Sequence, residues 1–252
     1  MSSPKASGDH FSSVSSAYAA FRPRYPRELF EFVASLPRLR YRAWDCGAGS
    51  GQASSGLAEY FDDVIATDIS AKQLAEASPH PKVRRLVASA ESTPLASGSI
   101  DLTAVAQALH WFDHERFYAE VRRVSAPGGA IAAWTYGPPR MEGDVGKALD
   151  RIMYETVVPF WPPERRFVED EYRSIPFPFD RIPAPAMTLE ESWTLPHLAG
   201  YIRSWSATAR YVSARREDPV TAFEADARAA WSGNEARPIV WNLVVLAGRV
   251  ES

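Results

Sequence analysis

Short apolar runs alternate with amphipathic stretches through the first half of this chain. After Pro26, which suits a first helical turn, Leu29, Phe30, Val33 and Leu36 recur at helical spacing. An apolar run at 41–44 predicts a strand. It ends at Asp45 and a glycine-rich turn, and a helix to about residue 60 follows with Leu57, Ala58, Tyr60 and Phe61 at apolar spacing. The β-branched run 63–68 predicts a second strand, and Ser70 caps a short helix carrying Leu74 and Ala77. Pro79-His80-Pro81 breaks that helix. Residues 83–87 and 100–106 read as strands three and four. Asp113 then caps a helix with Phe117, Val121 and Val124 on one face, Pro127-Gly128-Gly129 ends it, and residues 130–134 form strand five. Strands that alternate with helices in this way predict an α/β fold with a doubly wound parallel sheet.

The pattern changes near residue 137. Residues 137–186 are rich in proline and carry Trp161, Phe167, Tyr172, Phe177 and Phe179, with helical spacing only near 146–154. This stretch is too apolar for disorder and too proline-rich for much regular structure. It reads as a cap over the carboxyl edge of the sheet. Alternation returns at 187–195, amphipathic helices follow at 198–205 and 219–231, and the uncharged Val/Leu run 239–247 predicts a buried last strand. The chain therefore divides into an N-terminal tail and lid (1–26), a ligand-binding half (27–136), the cap (137–186) and closing elements (187–252).

Composition narrows the function classes. The 252 residues are 46% hydrophobic, enough for a packed core, and the net charge is −3. Basic pairs such as Arg84-Arg85 and Arg215-Arg216 are scattered rather than gathered on one face, which argues against a nucleic-acid partner. No run approaches ~18 apolar residues, so no membrane span is expected, and the start lacks a secretory h-region. A single cysteine, Cys46, excludes an intrachain disulfide and suits a reducing, cytoplasmic setting. Monomer and homodimer are both compatible with these data.

The chemistry centres on Gly47-Ala48-Gly49-Ser50-Gly51. Its glycines permit left-handed backbone and let a ligand approach the main chain. Asp45 can hold this turn or reach a cationic ligand group. Asp68 lies 17 residues after Gly51 at the end of the second strand. There an acid can bond both hydroxyls of a ribose. A dinucleotide fingerprint would require Gly or Ala five positions after Gly47, where Gln52 stands. That disfavours a nicotinamide-dependent reductase. In an open α/β sheet, ligands sit outside the strand carboxyl ends where winding reverses, between strands one and four. Gln107, His110 and Trp111 follow strand four and should face that point.

Asp45-Cys46-Gly47-Ala48-Gly49-Ser50-Gly51 followed by Asp68 resembles the cofactor half of class I S-adenosylmethionine-dependent methyltransferases. The likeness extends to the small-molecule branch that includes trans-aconitate methyltransferase-like proteins. It covers most of the chain from about Phe11, and Gln107-x-x-His110-Trp111 matches the family pattern closely. The resemblance implies a Rossmann-like seven-stranded sheet whose last strand is antiparallel, and S-adenosylmethionine as cofactor. It implies a small-molecule acceptor, with a carboxylic acid one candidate class.

The resemblance also assigns sites. Tyr18 and Arg22, with Tyr25 toward the acceptor, belong to a lid over the methionine end. The same segment can also be an aromatic stretch packed on the sheet edge. Asp68 addresses the ribose, Ile69 belongs to the cofactor-binding set, and Ala90 and Glu91 address the adenine, where Glu91 can equally be a solvated loop acid. Gln107 and Trp111 complete the cofactor set. Trp111 offers a cation–π contact to a sulfonium or simply core packing. His110 is a general base or a backbone-bonded residue that shapes the pocket. Trp161, Arg165, Arg166 and Tyr172 in the cap address the acceptor or lie on the surface. A protein that holds the cofactor without turnover shares all of the cofactor residues. It differs in lacking an open acceptor space beneath the cap.

Overall fold

A computed structural model describes residues 21–231 and 233–251. The assignments of Tyr18 and of most of the lid lie outside these residues. The first half follows the hydrophobic pattern: α1 (Arg27–Ser35), β1 (Arg42–Cys46), α2 (Gln52–Leu57), β2 (Asp63–Asp68), α3 (Ala71–Glu76), β3 (Val83–Val87), β4 (Ile100–Ala106), α4 (His114–Val124) and β5 (Ser125–Tyr136). Both predicted caps form. The side chains of Ser70 and Asp113 accept from the N–H groups of Gln73 and Arg116.

Strands β1 to β5 are parallel and ordered β3-β2-β1-β4-β5. The central strands β1, β2 and β4 are buried on both faces, while β3 at the sheet edge is largely exposed. Ala43 of β1, Leu102 and Ala104 of β4, and Ala130, Ala132 and Trp134 of β5 face one core. Trp44, Cys46, Val105, Ile131 and Ala133 face the other, against Phe117, Val121 and Val124 of α4. Period-two alternation within each strand thus divides the side chains between two layers.

The remaining elements are α5 (Gly143–Arg151), α6 (Arg165–Glu169), β6 (Asp180–Ile182), β7 (Met187–Trp193), α7 (Leu195–Arg203), α8 (Ser206–Arg215), α9 (Pro219–Ala230) and β8 (Arg237–Arg249). The last strand, β8, inserts antiparallel to β5 and carries β6 and β7 on its outer edge. The sheet has eight strands rather than seven because the outer strand is broken. Pro183 and Pro185 lie between β6 and β7, and neither has an N–H for the ladder.

Three local expectations need correction. Helix α4 stops at Val124, and Pro127-Gly128-Gly129 lies inside β5 as an irregularity in the pairing with β4 between Ile100 and Leu102. The cap is more regular than its prolines suggest. A π-turn (Ile152–Thr156) extends α5, Pro159 sits in the first turn of a 3-10 segment, and Pro162 and Pro163 precede α6, where a missing N–H costs little. Helix α8 was not legible because its sequence, SATARYVSAR, lacks a clear apolar stripe; only Ala207 and Thr208 are buried.

The cap shares its core with the closing helices. Val145, Ala148 and Leu149 of α5 belong to one apolar cluster with Leu198 of α7 and with Val220, Phe223 and Ala227 of α9. Arg151 and Asp226 form an ion pair at 2.6 Å across α5 and α9.

Candidate cofactor and acceptor site

A cavity of about 820 Å³ opens at the carboxyl ends of β1, β2, β4 and β5. One end is built on the glycine turn. The carbonyl of Thr67 in β2 accepts from the N–H groups of Gly47 and Ala48, at 2.8 and 2.9 Å. These bonds draw the turn against the neighbouring strand. Gly47 has φ +71°, and a Cβ there would stand 2.6 Å from the Cβ of Ala108. Gly51, at φ +83°, would press a Cβ to 2.9 Å from that of Ala77. No larger residue keeps this backbone and this packing together.

Asp68 is fixed by main-chain donors on both sides. Oδ2 accepts from Gly49 N at 2.9 Å and Oδ1 from Ser70 N at 2.8 Å. The carboxylate lines the cavity beside Ile69, whose side chain is 63% exposed although apolar. Ala90 and Glu91 continue this wall. One Glu91 oxygen accepts from Asp113 N at 3.1 Å and the other bonds the Ser89 hydroxyl.

Asp45 is a correction. It does not line the cavity and is wholly buried beneath the turn, where Oδ2 accepts from Ser54 Oγ of α2 at 2.5 Å. Oδ1 has no partner, and burial raises the carboxyl to a pKa of about 6. Between holding the turn and reaching a ligand, this geometry selects the first.

The loop after β4 supplies the middle of the cavity. Gln107 takes a left-handed conformation, φ +56°, and its Oε1 accepts from Thr135 Oγ1 at 2.8 Å. Its Nε2 is buried without a partner in a residue that lines the cavity, a donor poised for a ligand. His110 and Trp111 also line the cavity, with ring centroids 4.8 Å apart. Burial, with the positive fields of Arg165 and His114, holds His110 neutral with a pKa of about 3.

The cap and lid contribute the far end. Arg22 Nη1 donates to the Tyr136 hydroxyl at 3.0 Å, and Tyr25 packs edge-on against Trp134. Both lid residues line the cavity, as do Trp161 and Arg165. The Arg165 guanidinium lies 4.3 Å from the centroid of the Trp161 ring. Its carboxylate neighbour, Glu169, stands at 3.6 Å, beyond hydrogen-bond reach, and Nε is buried without a hydrogen-bond partner. Arg166 and Tyr172 are two further corrections. Arg166 is exposed, packs over Phe167 and misses the cavity. Tyr172 is fully buried behind the wall, with its hydroxyl 2.9 Å from His110 Nδ1.

The sequence reading missed one wall. Tyr136 at the end of β5, Tyr201 in the last turn of α7, Trp205 immediately before α8, and Arg210 of α8 all line the cavity. Tyr136 was recoverable, since it stands at a strand carboxyl end. Tyr201 and Trp205 were visible only as helical apolar spacing.

Known proteins resemble this chain in both sequence and fold. The family model described as a methyltransferase domain matches residues 44–133. A proposed methyltransferase of Dictyostelium discoideum is 36% identical over 214 residues, covering 83% of this chain and 81% of that protein. An uncharacterised methyltransferase of Mycobacterium tuberculosis is 38% identical over 122 residues, 48% of this chain and 49% of that protein. The solved structure of a proposed type II methyltransferase from Anaeromyxobacter dehalogenans is 43% identical, with a TM-score of 0.86, covering 92% of this chain and 99% of that one. The glycine turn, the acid at the end of β2 and the order of the sheet thus accompany a relationship that spans most of the chain, which belongs to the class I S-adenosylmethionine-dependent methyltransferases.

Proposed function

We propose that this methyltransferase acts on a small anionic acceptor, a carboxylic acid being the first class to test, and that both ligands share this cavity. The residues present fit the cofactor. The Gly47–Gly51 turn brings bare main chain to the cavity wall, Asp68 lines the cavity with its carboxylate held by Gly49 N, and Gln107 presents an unpartnered amide donor. In this reading Asp68 bonds the ribose hydroxyls and Ile69, Ala90 and Glu91 surround the adenine. Gln107, Trp111 and Arg22 meet the methionine end. When bound, the cofactor supplies an electrophilic methyl group on sulfur.

The observation that carries the acceptor class is Arg165. It is a cavity-lining cation stacked on Trp161, and its one ion pair among the described residues, with Glu169 at 3.6 Å, is too long for a hydrogen bond. A carboxylate would complete it with charge-assisted hydrogen bonds. Such an acceptor is already ionised near neutral pH and needs no proton removed. The protein's work is then alignment and exclusion of water. A non-catalytic cofactor holder would be expected to fill the space under its cap. Here the cavity extends past the loop after β4 to Trp161, Arg165 and Arg210.

The test begins with calorimetry of S-adenosylmethionine, its demethylated product and NADH. Binding of the first pair and not of NADH is expected. Transfer of a labelled methyl group to a panel of small carboxylic acids, alcohols and amines then reads the acceptor. Acids should be methylated, and Arg165→Gln should lower kcat/KM for them at least about tenfold while cofactor affinity holds. Methylation confined to neutral acceptors, or acid turnover indifferent to Arg165→Gln, would overturn the assignment.

A further inference from the structure

Three of the four non-glycine residues with left-handed backbone among the described residues gather around one contact. Gln107 (φ +56°) lies three residues before His110, while Glu171 (φ +58°) and Tyr172 (φ +61°) deliver the phenol that touches it. Such backbone is strained for a residue with a side chain and persists where surrounding packing enforces a geometry. We infer that Tyr172 is a positioning residue that holds His110 in the tautomer with its proton on Nε2, so that His110 meets the acceptor as a hydrogen-bond donor and not as a base.

The argument runs through proton counts. Tyr172 is fully buried, and burial raises its hydroxyl well above the ordinary tyrosine range, so it keeps its proton. A buried phenol must donate that proton. His110 Nδ1 stands 2.9 Å away. The phenol oxygen faces the backbone N–H groups of Leu109 and His110, at the start of the 3-10 turn Leu109–Trp111. Among the described residues, the contact with His110 Nδ1 is the phenol's one hydrogen bond. Thr135 is also near the phenol, but its hydroxyl bonds Gln107 Oε1 and makes no hydrogen bond to the phenol, which leaves Nδ1 as the acceptor.

Among the described residues, no anionic group offsets a charge on the ring. The titratable groups that face His110 are Arg165 from α6, His114 at the start of α4, and Tyr172 itself. A neutral imidazole carries one N–H. With Nδ1 accepting from the phenol, that N–H is on Nε2. Arg165 and His110 would then give the acceptor end of the cavity two donors and no base. That deepens the anionic-acceptor reading and rests on it for the acceptor. The tautomer stands independently.

The experiment labels the histidines of the full chain with ¹⁵N and records long-range ¹H–¹⁵N correlations from pH 5 to 8. His110 is assigned by the signals lost in His110→Gln. We expect one neutral ring throughout, protonated at Nε2. Tyr172→Phe should add the Nδ1-protonated form, while burial and the Arg165 field keep the ring neutral. A wild-type ring protonated at Nδ1, or one charged at pH 6, would overturn the inference. The wild-type spectrum decides alone if Tyr172→Phe does not fold.

Once an acceptor is found, His110→Gln keeps an N–H near the Nε2 position. The loss in kcat/KM should be about tenfold and carried by KM. A general base would cost roughly 10²–10⁴-fold, in kcat. If no carboxylic acid is methylated, the functional proposal fails while the spectrum still reads the tautomer.

Discussion

Removing the Asp68 carboxylate is the most direct test of the site. The residue lines the cavity, and its two oxygens accept from Gly49 N and Ser70 N, at 2.9 and 2.8 Å. If these accept two ribose hydroxyls, each bond to the charged group contributes about 1.5–3 kcal/mol before water replaces part of it. One bond's worth already exceeds the 1.4 kcal/mol that makes a tenfold change in Kd. Asp68→Ala should therefore weaken S-adenosylmethionine and its demethylated product by roughly 10- to 100-fold in calorimetry. Asp68→Asn should not rescue binding. Both oxygens accept from main-chain N–H groups, so the amide must turn its own NH2 against one of them. A variant that melts cooperatively yet binds within about twofold of wild type would refute the reasoning. A lowered Tm with unchanged Kd would confine the carboxylate to holding the turn.

Two further predictions concern the cradle itself. Gly47→Ala combines left-handed strain with a Cβ 2.6 Å from that of Ala108, whereas Gly98→Ala, at φ +65° with nothing within 4 Å, carries the strain alone. Denaturant unfolding should show about 1 kcal/mol lost at Gly98 and at least about 2 kcal/mol at Gly47, and equal losses would remove the close-approach argument. Asp45 has a folded pKa raised from 3.8 to about 6, so the native state binds its proton more tightly than the unfolded chain. Its contribution is most favourable below pH about 4 and declines by about 3 kcal/mol as pH rises through about 6. Asp45→Asn should remove that decline, so its Tm should gain on the wild type between pH 4 and 7; parallel Tm curves would count against the buried-acid account.

Much of the cofactor half was legible because its signals are local. A glycine triplet after an apolar run, an acid closing a β-branched run, and Ser70 and Asp113 before helical spacing each act within a few residues of themselves. Arg165 and Trp161 were also named from the cap, where they lie four positions apart. Asp45 was named too, but its direction depends on which side of the turn packs against Ser54, and no spacing states that. Arg166 was drawn in with Arg165 because sequence adjacency says nothing about which face of a one-turn helix meets the cavity.

The sequence by itself determined the alternation of strands and helices and the turn that only glycine can make. Period, capping and backbone sterics are properties of neighbouring residues. The tertiary structure alone decided what meets across the chain. It brought Tyr172 to His110 over 62 positions. It set the weakly patterned α8 as a cavity wall and divided the outer strand at Pro183 and Pro185 without breaking the sheet. Those outcomes depend on which surfaces compete to be buried and which donors find acceptors, and both are settled only when distant segments pack.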